Sequence, residues 1–202
     1  MQATSVSGQY FEEEPSVTSA PRTVRLVLPD RTLVLVTDRG VFAKDEVDPG
    51  TKLLLLEAPE LPSGGDMLDL GCGYGPIATT MASRRPDATV WAVDVNERAV
   101  ALTRDNAERL GLVNVCAATP DGVPDDVRFA AIWSNPPIRI GKPALHELLR
   151  TWLPRLEPTG EAVLVVHKHL GSDSLASWLG QEGWDVNRLT SRVGYRILSV
   201  AR

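Results

Sequence analysis

Apolar positions along this chain keep two different rhythms, and the change between them divides it. Thr23-Val-Arg-Leu-Val-Leu28 and Thr32-Leu-Val-Leu-Val36 are short, strand-like runs linked by Pro29-Asp30-Arg31, a spacing that predicts a β-hairpin. Asp48-Pro49 sets a capping carboxylate before a proline at the first helical position, and predicts a helix through about residue 58. Leu61-Pro-Ser-Gly-Gly65 breaks the pattern. Beyond it strands and helices alternate. Strands are predicted over 67–70, 89–93, 114–118, 128–133 and 162–167, and helices over 76–84, 97–110, 144–153 and 172–181. The final runs, 184–189 and 195–201, leave no room for a helix between them, so they must pair as a hairpin and the last strand must enter antiparallel. The expected architecture is α/β: a doubly wound, mostly parallel, seven-stranded Rossmann-like sheet with an antiparallel C-terminal hairpin and a small N-terminal β-hairpin extension. Residues 1–60 are expected to form an arm, hairpin and helix packed on a core of 61–202, in one compact unit. Residues 1–21 are polar, with an acidic Glu12-Glu-Glu14 run and two prolines, and read as an irregular arm.

Composition narrows the class. A chain of 202 residues with 43% hydrophobic content is long enough to bury a core as one globular domain. No apolar run approaches a membrane span, since Lys52-Leu-Leu-Leu-Leu56 is short and flanked by charge. The first residues lack the basic start and apolar stretch of a secretory signal. Two cysteines make no disulfide framework and three histidines no metal site, so no metal is expected and a reducing, cytoplasmic setting is. The net charge of −5 argues against nucleic acid bound over the whole surface, but its distribution is uneven. Residues 1–137 carry 12 basic and 20 acidic side chains, whereas residues 138–202 carry 9 and 6. The basic third is compatible with an ordinary solvated surface or with a local phosphate-binding rim.

A doubly wound sheet binds ligands beyond the carboxyl ends of its strands, and two sequence elements converge there. The first is Asp69-Leu-Gly-Cys-Gly-Tyr-Gly75. Gly71, Gly73 and Gly75 lack Cβ atoms, which permits positive φ and a close approach of backbone to ligand. Their Gly-x-Gly-x-Gly spacing differs from the Gly-x-Gly-x-x-Gly of pyrophosphate binders. Asp94, followed by Val95, ends the next strand, where a carboxylate can accept both hydroxyls of a ribose. Asp69 can hold turn amides or, through water, an ammonium group. Cys72 reads as a small filler. These features do not separate one ribose-containing cofactor from another.

The second element is Ser134-Asn135-Pro136-Pro137-Ile138, delivered to the same sheet edge by the fourth strand of the alternating section. Two adjacent prolines fix φ twice and force Asn135 out of the helical region. That rigidity suits a conjugated amine, which is a poor nucleophile. The Asn135 side-chain oxygen and the Pro136 carbonyl would accept its two N–H bonds, pull the nitrogen toward tetrahedral geometry and aim its lone pair at an electrophile. No strong base is required. Arg139, Gly141 and Lys142 continue the loop with positive charge and flexibility, while His146 reads as a helix-surface residue and His167 and His169 as flanks of a strand end.

With these motifs the chain resembles the class I S-adenosylmethionine (SAM)-dependent methyltransferases. More narrowly it resembles the small methyltransferase domain group that includes the small-subunit ribosomal RNA guanine-N2 methyltransferases. The resemblance is carried by Gln9-Tyr-Phe11, Thr37-Asp-Arg-Gly-Val-Phe42, Asp48-x-Gly-Thr51, Asp69 to Ile77, Asp94-Val-Asn96, Ser134 to Arg139, Lys168-x-x-Gly171 and Gly194-Tyr-Arg196. It implies SAM as cofactor, with Gly71, Gly73 and Gly75 around its amino-acid end, Asp94 on its ribose and Asp121 near its adenine. It also implies that Asn135 and Pro136 grip the target amine, that Phe42 walls the pocket, and that the partner is ribosomal RNA or a ribosomal particle presenting a flipped-out base. In two respects the chain departs from the group. Where RNA enzymes of the group often have an aromatic residue after Asn-Pro-Pro, Ile138 offers only apolar contact. Some members also carry a duplicated second domain for which this length leaves no room, so RNA grip is expected from the basic C-terminal third, Arg139 and Lys142 included, or from a partner. The residues themselves leave open a protein glutamine amide or small-molecule acceptor, and a non-catalytic RNA-binding or ribosome-assembly module.

Overall fold

The protein is described here by a computed structural model covering residues 17–43 and 45–202; the acidic run at 12–14 and Gln9-Tyr-Phe11 lie outside the described residues. Strands β1 (Arg22–Val27) and β2 (Thr32–Thr37) pair antiparallel, with Val24 opposite Leu35 and Leu26 opposite Leu33. Period-two alternation puts those four side chains inside and leaves Arg25, Val27 and Val34 exposed. Helix α1 (Pro49–Glu57) starts where Asp48 accepts a hydrogen bond from Thr51 N at 2.9 Å. The cap satisfies one of the four amides that a helix start leaves unpaired.

Seven further strands form one sheet: β3 (Asp66–Leu70), β4 (Val90–Val93), β5 (Val115–Ala118), β6 (Phe129–Ser134), β7 (Leu156–His167), β8 (Asp185–Arg192) and β9 (Tyr195–Ala201), in the order β5-β4-β3-β6-β7-β9-β8. Neighbours from β5 to β7 run parallel, whereas β9 is antiparallel to both β7 and β8. The chain winds outward from β3 through β4 to β5, then crosses back to β6. Chain order therefore reverses between β3 and β6, where open α/β sheets place their ligands. Helices α2 (Pro76–Arg84), α3 (Glu97–Arg109), α4 (Lys142–Trp152) and α5 (Ser172–Gln181) cover the sheet.

Alternate residues of each strand feed two cores. Met67, Val163 and Val165 pack with α1, α2, α3 and the hairpin, whereas Leu68, Leu70, Leu164 and Val166 pack with α4 and α5. Burial of both faces explains the nearly continuous apolar run of β7. The front section is bound to this frame by Asn106, fully buried on α3. Its side-chain oxygen accepts from Val36 N at 2.7 Å, and its nitrogen donates to Val36 O and Tyr74 O at 2.8 Å each. One side chain thus joins hairpin, helix and glycine turn.

The sheet follows the sequence expectation in class, strand number and closing hairpin, but two strands run longer than their sequence signals. β7 begins at Leu156, six residues before the expected start. Pro158-Thr-Gly160 reads as a loop, yet the strand passes through it by a register shift, pairing Leu156 with Phe129 and then Glu161 with Ala131. β8 continues to Arg192 across an irregularity between Arg188 and Thr190. Among the described residues no helix is long and apolar enough to cross a membrane.

Asp69 lies beneath α2. Its Oδ2 accepts from Ala78 N at 2.8 Å, and its Oδ1 has no partner. Burial, opposed by the Ala78 amide and reinforced by Asp94, pushes its carboxyl up to about 8. An unfolded aspartate ionises near pH ~4, so between there and about 8 the folded state holds a proton that the unfolded state has lost. Stability must therefore fall as pH rises through that window. Asp69→Asn keeps the acceptor for Ala78 and removes the titration. In thermal melts its advantage over wild type should grow from about pH 5 to about pH 9; a constant difference would mean that Asp69 ionises normally in the fold.

Candidate active site

A cavity of ≈ 760 Å³ opens where chain order reverses, inside the usual range of about 300–1,000 Å³ for small-molecule sites. On the β4 side it is lined by Leu70, Gly71, Gly73, Val93, Asp94, Val95 and Pro120. On the β7 side it is lined by Asn135, Pro136, Pro137, Ile138, Arg139, His167, His169 and Tyr195. The front section adds Val41, Phe42, Asp45, Glu46 and Asp48. Asn96 draws that section in, donating from Nδ2 to Gly40 O at 2.8 Å.

The glycine turn commits four of its amides internally. Gly71 N and Cys72 N donate to Val93 O at 2.8 and 3.0 Å, Gly73 N donates to Asp94 Oδ2 at 2.9 Å, and Gly75 N donates to Cys72 O at 2.9 Å. In a phosphate-binding loop such N–H groups point at the anion, and the following helix N-terminus is open to it. Here Asp69 occupies the first turn of α2 at Ala78. The amides of Gly71, Cys72, Gly73 and Gly75 are thus committed within the protein and not held open for a pyrophosphate. Gly75 has φ +89°, and a Cβ there would lie 2.9 Å from the Thr103 side chain, so this glycine lets α3 pack on the turn. Cys72 is buried within 3.5 Å of Thr103 Oγ1, and burial first, then Asp94 and Asp69, pushes its thiol well above the usual range. A thiol held neutral in this way is a filler and not a nucleophile.

Asp94 sits at the switch point with both oxygens anchored, Oδ2 by Gly73 N and Oδ1 by Asn96 N at 3.0 Å. Burial raises its pKa against the pull of these amides. Each carboxylate oxygen keeps a lone pair for a further donor. Among the described residues, four carboxylates line the cavity (Asp45, Glu46, Asp48 and Asp94) against one arginine, Arg139, a balance that favours a cationic over an anionic ligand.

Across the cavity, Ser134 Oγ donates to Leu70 O at 2.6 Å in a buried contact that ties the end of β6 to the end of β3. Pro137, at φ −74° and ψ 69°, is the centre of an inverse γ-turn in which Ile138 N donates to Pro136 O at 2.8 Å. The Pro136 carbonyl therefore keeps one lone pair of two. Asn135 donates from Nδ2 to Asp48 Oδ2 at 2.8 Å and to Thr51 Oγ1 at 3.0 Å. Both of its N–H bonds are thereby satisfied, and Oδ1 accepts nothing from the described residues. What Asn135 has left to offer is an acceptor, and Pro136 offers a second beside it. Together they suit a donor with two N–H bonds.

Five residues singled out from sequence lie off the main cavity wall. Asp69, Cys72 and Gly75 build the turn from behind. Asp121 is exposed in a short 3-10 turn, its Oδ1 accepting from Thr119 Oγ1 at 2.5 Å, and the adjacent Pro120 lines the cavity in its place. Lys142 opens α4 beyond the rim. Conversely, His167, His169 and Tyr195 flank strand ends and also face the cavity. Tyr195 opens the antiparallel β9 opposite His167, and the rings meet edge-on at 4.9 Å and 87°. The signal for them is topological, since an antiparallel strand begins at the edge where its parallel neighbour ends. Arg139 at the cavity, Lys142 at the start of α4 and Lys168 just after β7 are exposed and pair with no carboxylate among the described residues. Among those residues no cluster of His, Cys, Asp or Glu could hold a metal ion.

Comparison with known proteins identifies the family of the chain. The uncharacterized protein YbxB of Bacillus subtilis is 38% identical over 202 residues, covering 98% of this chain and 100% of its own. Ribosomal RNA small subunit methyltransferase C of Shewanella pealeana is 30% identical over 165 residues, covering 79% of this chain and 47% of its own. Among solved structures, the T. thermophilus 16S rRNA guanine-N2 methyltransferase RsmC, in complex with AdoMet and guanosine, superposes with a TM-score of 0.75 at 24% identity, over 93% of this chain and 52% of that one. The chain thus spans about half the length of the ribosomal RNA methyltransferases it matches. The methyltransferase small domain family model aligns with residues 32–199, from the second hairpin strand to the last strand of the sheet. The chain that builds this cavity is a member of the methyltransferase small domain family.

Proposed function

We propose that the protein transfers a methyl group from SAM to the exocyclic N2 amine of a guanine in ribosomal RNA. One observation carries this reading: Asn135 has both amide N–H bonds tied to Asp48 and Thr51, which leaves its oxygen, beside the Pro136 carbonyl, to meet an NH₂ donor. The names of the ribosomal RNA relatives point the same way.

The cavity fits the cofactor. Asp94 accepts the ribose hydroxyls through its spare lone pairs, Val95 and Pro120 flank the adenine with Asp121 one residue beyond, and the backbone of Gly71 and Gly73 meets the amino-acid end. Bound SAM supplies a methyl group on a cationic sulfonium, a charge that the acidic lining favours. On the acceptor side, Asn135 Oδ1 and Pro136 O take the two amine hydrogens and turn the lone pair toward the cofactor end of the cavity. As the nitrogen–methyl bond forms, the sulfonium carbon–sulfur bond would break to leave a neutral thioether, and the methylated amine would release one proton to solvent. Asn135 and Pro136 contribute placement and oriented carbonyl dipoles that stabilise the positive charge developing on nitrogen. Phe42 and Ile138 give the base apolar walls. A base inside a duplex cannot enter a concave site, so the guanine must be flipped out or single-stranded. Arg139, Lys142 and Lys168 meet the flanking phosphates.

The decisive experiment follows tritium from labelled SAM into naked ribosomal RNA, isolated subunits, intact ribosomes and total cell protein, with nucleoside analysis of labelled RNA. Label recovered as N2-methylguanosine is expected; label in protein or small molecules would move the acceptor to another amide or amine.

Asp94→Ala should weaken SAM binding in calorimetry by about 1.5–3 kcal/mol for each charge-assisted bond lost. Unchanged affinity would remove Asp94 from the ribose. Asn135→Ala should bind SAM and melt like wild type, yet lose methyl transfer on the order of 10²–10³-fold, the usual cost of an oriented transition-state acceptor. A fully active variant would favour a binding or assembly module. Neutralising Arg139 and Lys142 together should weaken RNA binding and flatten its log–log salt dependence by about one slope unit per lost contact; an unaltered slope would make these cations ordinary surface.

A further inference from the structure

The Asp48-x-Gly-Thr51 segment explains more than a helix start. A cap needs only the Asp48 carboxylate accepting from Thr51 N, as it does at 2.9 Å. The same Oδ2 also accepts from Asn135 Nδ2 at 2.8 Å, 87 residues away in sequence. Thr51 is buried, and its hydroxyl oxygen accepts the other Asn135 N–H at 3.0 Å. Gly50 is required by the same arrangement. A Cβ there would lie 2.6 Å from Tyr195 Cε1 and 2.9 Å from Asp48 Oδ2, so any side chain would displace both the cavity-lining ring and the carboxylate. None of these three demands follows from capping alone.

We propose that Asp48 and Thr51 are positioning residues for methyl transfer, holding the Asn135 amide in the one orientation that presents its oxygen to the acceptor amine and strengthening that oxygen as an acceptor. This rests on the proposed methyltransferase reading. A free asparagine amide turns over readily, and the flipped form would set NH₂ against NH₂. A carboxylate accepts and never donates when ionised, so Asp48 forbids the flip. Its negative charge also draws on the amide N–H, which shifts electron density toward Oδ1, since hydrogen bonds in series polarise one another. The acceptor nitrogen gains positive charge only as the methyl group arrives. A stronger Oδ1 therefore acts on turnover and not on cofactor affinity.

Asp48→Ser keeps a good helix cap while its short side chain stops short of Asn135. Thr51→Val keeps the shape and removes the hydroxyl. Each should stay folded and lower kcat about 10–100-fold, in the range of an oriented-dipole defect, and Thr51→Val, which removes no charge from the cavity, should keep wild-type SAM affinity. In an Asn135→Ala background neither should lower kcat further, because residues that act through one group are not additive. Asp48→Asn, an uncharged acceptor with the same reach, should recover part of the loss. A readout independent of turnover is the ¹H–¹⁵N signal of the Asn135 side chain, identified by its disappearance in Asn135→Ala. In wild type its two protons should be well dispersed and slow to exchange, whereas in Asp48→Ser the proton bonded to Asp48, and in Thr51→Val the proton bonded to Thr51, should move to the position of a solvated amide. If wild type methylates nothing, the proposed function fails while this signal still decides the positioning role. An unaltered amide signal in both variants overturns the proposal, as does a loss of kcat that multiplies with that of Asn135→Ala.

Discussion

The site depends on one buried contact, the hydrogen bond from Ser134 Oγ to the Leu70 carbonyl. It locks together the carboxyl ends of two parallel strands at the point where chain order reverses. From there the glycine turn leaves in one direction and the Asn-Pro-Pro turn in the other. The glycine wall of the cavity and the acceptor oxygens of Asn135 and Pro136 hang from these two turns, so their separation is set by the sheet and not by loop flexibility. A site hung directly from strand ends inherits the rigidity of a core packed on both faces.

That frame explains why the front section belongs to the chemistry. The hairpin and α1 share a core with one face of the sheet, and Asn106 bonds the hairpin, α3 and the glycine turn in one place. The cap of α1 then reaches Asn135. Residues before the alternating strands and helices thus complete a site whose main motifs lie after them.

Much of this was legible in the sequence. Helices α2 and α5 have the predicted bounds because proline at a first turn and glycine at helix flanks state backbone geometry locally. The Asn135–Pro137 turn was legible for the same reason, since two prolines leave the backbone little choice. The start of β7 was not, because a strand that bulges through Pro158-Thr-Gly160 is stabilised by its neighbour and not by its own residues. Among site residues, Asp48 was readable as a cap, but its second bond spans the fold. Tyr195 and His167 become neighbours only once β9 inserts between β7 and β8. Asp69 is expected from sequence to hold turn amides or, through water, an ammonium group; it is fully buried and holds the amide of Ala78.

The self-satisfied glycine turn has a consequence for how such a protein works among other metabolites. Adenine nucleotides and dinucleotides share the adenosine portion of SAM and are abundant in every cell. The Gly71, Cys72, Gly73 and Gly75 amides are already committed to Val93, Asp94 and Cys72, and among the described lining residues carboxylates outnumber basic side chains, which disfavours phosphates there. The pocket thus discriminates by what it withholds, because the glycine amides of the turn serve the protein's own carbonyls and carboxylate before any ligand arrives.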